Sequence, residues 1–470
     1  MVLSQWPVAT PKNKSRCVEV SSQLALTGPS IFLKPDSAID IDCVDVGEFG
    51  AEPLYLDTEE ALRNHLSRQT PTTIARYYLL EPDYGRAEIP VTQAGAYNLL
   101  STFQVFPEIY RHMSAFGRKA FSQDEGFAGF DETFTANKDG VIERSEICYL
   151  LKYVGRRENA RLGTDPWSVR HALVYQQTDL NSHQSNHILI RIPEVAKSRL
   201  EERLLDRDPQ QACEFVNNWT GLHTLCFDSV QDSLRQCTNY FDQEITSVFK
   251  RLLLSGIEVG KHNEFDTPDS SARDMKTLQH LEDQGNRVMS VIELNMETLD
   301  CLTSHAERLR KRGPESHRGK LDEFLDEIQK IKKDHRFSLL NISTVMKRAK
   351  TVSEQLRDTV SVRNSEMANN HTEAIYKLTE ASGQEARVVK TLTVLALFFV
   401  PASLVADFLQ MGYVKLREDG RPGWVADPGL QIYASLVLPF IAFIVMVYCV
   451  VEWKNGKRPK SWPKRRAGAV

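Results

Sequence analysis

Two long apolar runs, close together in a chain of 470 residues, limit what it can fold into. Thr391–Leu409, TLTVLALFFVPASLVADFL, holds 19 residues with one charge, Asp407. Leu430–Val451, LQIYASLVLPFIAFIVMVYCVV, holds 22 with none. A helix of about 20 apolar residues crosses ~30 Å of hydrocarbon, so both runs read as membrane spans. Buried core helices are the competing assignment, and they rarely run so far without a charge. Flanking charge sets the orientation. Arg387 and Lys390 precede the first run, and Lys454, Lys457, Arg458, Lys460, Lys464, Arg465 and Arg466 follow the second. Between them Lys415, Arg417 and Arg421 are balanced by Glu418, Asp419 and Asp427. The expected topology is an integral, multi-pass membrane protein with both termini cytosolic. It has an outer loop over 410–429 and a basic cytosolic tail over 452–470, which suits anionic lipid heads or a collar at a pore.

The remaining residues exclude several classes. Lys and Arg number 58 against 62 Asp and Glu, a net charge of −4, so nothing in the charge balance points to nucleic acid. Apolar residues at 41% and charged ones at 26% argue against global disorder. The eight cysteines are scattered without a CxxC pair, which disfavours a zinc ribbon and fits a reducing compartment. Met1–Arg16 has no apolar core and is not a secretory signal; it is basic and free of acids, as a transit peptide or a loose terminus is. No Gly-rich phosphate loop, G-x-S-x-G or HExxH occurs, so no enzyme is expected and no cofactor.

Periodicity divides the rest. Residues 1–60 show little pattern and are expected to be partly irregular. Over 61–205 the stretches Thr72–Leu80, Ile147–Val154, Val169–Tyr175 and His187–Ile192 are β-branched and aromatic, and the last three follow closely enough to pair antiparallel. Val91–Phe116 reads as helical. This predicts an α/β domain with a mainly antiparallel sheet. From 206 to 342 the period becomes 3.6. Phe227, Val230, Leu234, Cys237, Phe241, Val248 and Leu252 share one face. Leu278, Gly285, Ile292, Leu299 and Ala306, with Leu281, Val288, Asn295, Leu302 and Leu309, form a coiled-coil-like seam in which Gly285 and Asn295 are weak points. A stalk helix is expected over 343–409, about 100 Å long at 1.5 Å per residue, continuing into the first span at 391–409.

Three features carry a family resemblance: Asp165–Tyr175, DPWSVRHALVY; Thr391–Pro401, TLTVLALFFVP; and the basic tail after Val451. With the layout of an α/β domain, long helices and two final spans, the chain resembles the CorA-type divalent-cation transporters, and within them the divergent fungal CorA-like branch. The resemblance implies an oligomeric pore lined by the first span, a homo-oligomer such as a pentamer or assembly with a CorA paralogue, and a lipid bilayer as surroundings. It implies that divalent cations, magnesium or a related ion, are transported substrates and regulators. It places Val389, Leu392, Ala396, Val400, Ser403 or Leu404, Asp407 and Met411 on the pore face, with Leu392, Ala396 and Val400 as a hydrophobic gate. The family ends this helix in Gly-Met-Asn, whose Asn side chains hold the hydrated ion. Here Gln410, Met411 and Gly412 stand there, and the Asn is absent. Asp407 is the candidate replacement, a metal ligand in a carboxylate ring with neutral oxygens from Ser403 and Gln410. The other readings are an Asp407 solvated at the interface or paired with Lys415 or Arg417. A non-conducting scaffold or regulatory subunit is the alternative function.

Three further patterns have simpler readings. Thr135–Glu146, TANKDGVIERSE, nearly matches a calcium loop but lacks Asp at its first position, so an Asx turn is expected. His183 and His187 flank a strand start. Asp322, Glu323, Asp326 and Glu327 form an acidic helix face, solvated by default or a cation sensor.

Overall fold

The computed structural model describes residues 6–7, 13–68, 73–82, 87–118, 126–157, 165–205, 209–254, 268–411, 414–416, 424–426 and scattered positions from 431 to 453. The elements begin with α1 (Lys14–Ile31), β1 (Phe32–Leu33), β2 (Ile41–Gly47), β3 (Gly50–Leu56), α2 (Glu59–Ser67), β4 (Thr73–Leu80) and β5 (Ile89–Thr92). Next come α3 (Gln93–Thr102), α4 (Ile109–Met113), β6 (Phe130–Ala136), β7 (Ile142–Arg156), β8 (Trp167–Asp179) and β9 (Ser185–Ile190). The helices α5 (Glu194–Leu204), α6 (Pro209–Asn217), α7 (Gly221–Leu254), α8 (Pro268–Arg312) and α9 (Arg318–Gln410) follow, and β10 (Val414–Leu416) and β11 (Trp424–Ala426) close the series. The chain divides into two units, Met1–Arg363 and Asn364–Val470.

The first unit is built on a seven-stranded sheet of order β3-β2-β4-β9-β8-β7-β6. Every pairing is antiparallel except β4 with β9. Side chains alternate across a strand, and here both faces are covered. Ile147, Tyr149 and Leu151 of β7 join one core with α5, α7, α8 and α9; Cys148 and Leu150 join the other with α1, α2, α3 and α4. Double burial explains why these strands read as continuous apolar runs. The four expected strands are present as β4, β7, β8 and β9, and β7, β8 and β9 pair antiparallel.

Residues 1–60 differ from expectation. Their stripe Cys17, Val20, Leu24 and Ile31 is buried, the last three in the second core, and β2 and β3 form a hairpin. The irregular appearance came from Gly28 and Pro29 inside α1, residues that ordinarily break a helix. The stalk helix also begins earlier, at Arg318.

Both weak points of the α8 seam have a use. A Cβ on Gly285 would lie 1.9 Å from Met346 Sδ, so glycine lets α9 approach closely. Asn295 is fully buried: its Oδ1 accepts from the Lys152 backbone N–H at 3.0 Å and its Nδ2 donates to the Lys152 carbonyl at 2.7 Å. Leu278, Leu281, Val288, Ile292, Leu299 and Leu302 are buried in the unit's own core.

Candidate functional site

The segment on which the sequence placed the site is the last part of α9. It is helical without interruption through Gln410, and the Met411 N–H still donates to the Asp407 carbonyl at 3.1 Å. At about 100° per residue, Leu392, Ala396, Val400, Ser403, Asp407, Gln410 and Met411 fall within an arc of about 100°. All seven are exposed. The structure therefore brings the expected residues onto one helix face, with a carboxylate, a hydroxyl and an amide grouped toward its C-terminal end. Gly412 lies outside the described residues.

Other faces of this stretch are apolar as well. Val394, Leu395 and Phe399 are exposed, as are Leu438, Phe443, Met446 and Val450 of the second apolar run. A helix apolar all round is ordinarily covered by protein or lipid. Among the described residues, no helix is long and apolar enough to cross a membrane. The region expected as a plain loop contains a hairpin, with Val414, Lys415 and Leu416 opposite Ala426, Val425 and Trp424. Its signal was present: two short β-prone stretches flank Gly420 and the Pro422-Gly423 pair.

The other motifs resolve locally. Asn137 Oδ1 accepts from the N–H groups of Asp139 (2.9 Å) and Val141 (3.0 Å), and Gly140 takes φ +80°, so the calcium-like loop is an Asx turn. Glu146, which would be its last ligand, is buried and accepts from Tyr175 Oη at 2.8 Å. His187 is buried, stacked on Tyr77 and 3.0 Å from Ser185 Oγ. Asp322, Glu323, Asp326 and Glu327 are exposed, with Asp322 paired to Arg310 at 2.9 Å.

One cluster escaped the sequence reading. Among the described residues, a single group of His, Cys, Asp or Glu side chains converges closely enough to hold a metal ion: Cys43 and Asp45 of β2 with His65 of α2. Cys43 and Asp45 are two apart on a strand and share a face. His65 joins them from the inner face of α2, beside Leu62 and Leu66. Thr58 starts that helix, its side chain accepting from the Ala61 N–H, with Glu59 and Glu60 in the first turn.

Comparison with known proteins gives a family match. Residues 5–253, more than half of the chain, match the model of the CorA-like transporters. No curated protein sequence matches the chain. Among solved structures, full-length CmaX aligns with 90% of this chain and all of its own at 12% identity and TM-score 0.44. The CorA magnesium transporter of Methanocaldococcus jannaschii aligns over 87% of this chain and 96% of its own at 11% identity and TM-score 0.33. The cytoplasmic domain of ZntB from Vibrio parahaemolyticus aligns over 68% and 99% at 12% identity and TM-score 0.28.

Proposed function

The chain belongs to the CorA-like transporters, a family of transporters and not of enzymes, and from that premise we propose that it passes divalent metal cations through an oligomeric pore. In this reading Thr391–Leu409 and Leu430–Val451 span the membrane, and the first span of each copy lines the path. The observation that carries it is the exposed α9 face holding Ser403, Asp407 and Gln410. One copy offers one carboxylate, too little to select an ion. A ring of copies offers a carboxylate ring, the usual device of cation pores. Magnesium or a related hydrated ion suits such a ring, because hard cations take oxygen ligands.

Self-association has separate support. Among the described side chains of α9 from 364 to 410, nearly all are exposed, including Ile375, Tyr376, Leu378 and Val389. Helical stability comes mostly from packing of an apolar face, and further copies supply such packing. A pentamer satisfies this, and so does assembly with a paralogue that keeps the family's Asn. Leu392, Ala396 and Val400 then form the hydrophobic constriction.

The test is divalent-cation flux into proteoliposomes, comparing magnesium, cobalt, nickel and zinc, with Asp407→Ala and Asp407→Asn alongside. We expect flux in the native protein and at least a tenfold loss in D407A, equivalent to about 1.4 kcal/mol of barrier. Unchanged flux in a folded D407A oligomer would remove Asp407 from the filter. The missing Asn favours one other reading, a non-conducting scaffold, and absence of flux from a well-folded native oligomer would point to it or to an obligate assembly with a conducting paralogue.

A further inference from the structure

We propose that Cys43, Asp45 and His65 form a binding site for one zinc-class divalent ion, in the α/β unit and separate from any permeation path. The site stands on its own geometry and does not depend on whether the chain conducts.

The three donor atoms lie within 4.8 Å of one another. Cys43 Sγ is 3.8 Å from His65 Nε2 and 3.8 Å from Asp45 Oδ1, and His65 Nε2 is 3.1 Å from Asp45 Oδ2. A tetrahedral zinc ion, bonded at about 2.3 Å to sulfur and about 2.0–2.1 Å to nitrogen or oxygen, has ligands roughly 3.3–3.6 Å apart. The Sγ–Nε2 and Nε2–Oδ2 edges match that cage within a few tenths of an ångström, and the third donor separation stays within 4.8 Å. Thiolate and imidazole select zinc, cobalt or nickel over magnesium and calcium, which prefer oxygen alone.

The direction of the contacts separates coordination from nucleophilic chemistry. In a nucleophile–base–acid triad the histidine uses one nitrogen for the nucleophile and the other for the acid. Here the thiol and the carboxylate both face Nε2. Nδ1 is occupied from behind by Tyr78 Oη at 3.3 Å. That is the arrangement of a metal ligand whose far nitrogen is held by an outer partner. The sheet register builds it: Cys43 pairs with Tyr78, and Asp45 with Arg76. Arg76 Nε lies 3.6 Å from Asp45 Oδ1, while its Nη2 donates to the Arg68 carbonyl at 2.7 Å. Oδ1 thus faces the guanidinium, and Oδ2 remains toward the ion.

Proton balance follows. Without metal, a proton on Nε2 bridges to Asp45, and the Tyr78 hydroxyl donates to Nδ1. When the ion binds, neutral His65 carries its proton on Nδ1 instead, donates it to Tyr78 Oη, and gives the Nε2 lone pair to the metal. The Cys43 thiol becomes a thiolate, so one proton leaves to solvent for each ion. Thiolate and carboxylate together neutralise the 2+ charge. Cys43 and His65 are buried, whereas the Asp45 side chain keeps 16% exposure. The ion enters on that side, and a water completes the tetrahedron. The bound ion ties α2 to the sheet through His65.

The test uses the full-length protein in detergent, stripped with chelator and titrated with Co²⁺ and then Zn²⁺ in excess Mg²⁺. The expected result is one equivalent of cobalt bound with release of one proton, a thiolate-to-metal charge-transfer band and tetrahedral visible bands, then displaced by zinc with no further proton released. Cys43→Ser abolishes the charge-transfer band, and His65→Gln weakens cobalt binding at least tenfold. Cys213→Ser, at a cysteine outside the cluster, leaves both unchanged. A folded C43S that keeps the band, or a folded H65Q that keeps the affinity, would overturn the proposal. X-ray absorption of the native one-equivalent zinc complex needs no variant. One sulfur among nitrogen and oxygen ligands supports the site, and an all-oxygen-and-nitrogen shell rejects it. None of these readings involves flux, so this result and the transport result fall independently.

Discussion

Helix α9 has two halves that obey opposite rules. From Leu321 to Leu356 it is amphipathic: Leu321, Phe324, Ile328, Ile342, Met346, Ala349, Val352 and Leu356 are buried, and charges occupy the other face. Beyond residue 363 the described side chains are nearly all exposed, whether polar, as around Asn369, or apolar, as at Leu392 and Phe399. The first half is finished by its own chain. In the second, the described side chains find no cover among the described residues. The contrast teaches that apolar residues on one continuous helix serve two purposes: the first set stabilises a fold, and the second requires other surroundings.

The same substitution in the two regions exposes the difference. Phe227 is fully buried, stacked on Tyr149 and edge-on to His335. Phe227→Ala should lower the unfolding free energy of the α/β unit by about 3–5 kcal/mol, read from urea unfolding of the full-length protein in detergent. Phe399 is 65% exposed, and Phe399→Ala should leave that transition within about 0.5 kcal/mol. Its effect should appear instead in the oligomer distribution on sizing columns. A large loss of unit stability in F399A would break the comparison.

Next in size is Asn295→Leu. It removes both bonds to the Lys152 backbone from a fully buried position, and about 2–3 kcal/mol should be lost. An unchanged urea midpoint would show that those bonds contribute nothing.

The pH dependence sharpens the contrast, because the buried half is rich in titrating groups. Burial holds His187 and His223 neutral down to about 3, with His187 and His305 adding repulsion at His223. Unfolded, each protonates near 6.5. Their contribution is therefore complete above about pH 6.5 and lost as pH falls, at about 1.4 kcal/mol per pH unit each. Glu81 opposes them. Burial raises its carboxyl to about 7 despite Arg191 and Lys197. Its contribution is complete below about 4.5 and is lost as pH rises toward 7. Two histidines outweigh one glutamate, so stability should fall between pH 6.5 and 4.5. Glu81→Gln should steepen that fall by about 1.4 kcal/mol per pH unit. An unchanged slope in E81Q would exclude Glu81 as the opposing group.

The smallest effect belongs to the acidic face of the covered half. Asp322 and Arg310 are each about half exposed, and solvent screens such pairs. Asp322→Ala should shift unfolding by less than about 0.5 kcal/mol.

Much of the covered region was legible because its strands are buried on both sides. Ile147–Leu151 and Ala172–Tyr175 have no polar alternation to hide them, and the α8 stripe keeps its period. What the seam packs against was not legible. Gly285 and Asn295 looked like faults in a repeat until Met346 and Lys152, distant in sequence, came beside them. Helix α1 was obscured by Gly28 and Pro29, whose local preferences were overridden by the burial of Val20, Leu24 and Ile31. In the exposed region, the face carrying Ser403, Asp407 and Gln410 followed from helical spacing once the family resemblance had fixed the end of the first span. The Cys43–Asp45–His65 cluster had only half a signal. Cys43 and Asp45 alternate on a strand, but the twenty residues to His65 include a hairpin turn and a helix start, which no spacing rule connects.

The bond pair at Asn295 has a consequence beyond stability. Strand β7 continues seven residues past Tyr149, which pairs with Phe130 at the end of β6, from Leu150 to Arg156. A strand edge with open backbone donors and acceptors is a template on which another chain can add a strand; here the Leu150 N–H is taken by the Gly129 carbonyl at 3.2 Å, and Lys152 follows on the same edge. A carboxamide presents one donor and one acceptor, as a backbone peptide does, and Asn295 offers both to Lys152 from a helix that cannot propagate a ladder. It therefore acts as a one-residue counterfeit strand. With its edge closed at Lys152, the sheet offers no open ladder position there for a second chain to pair with.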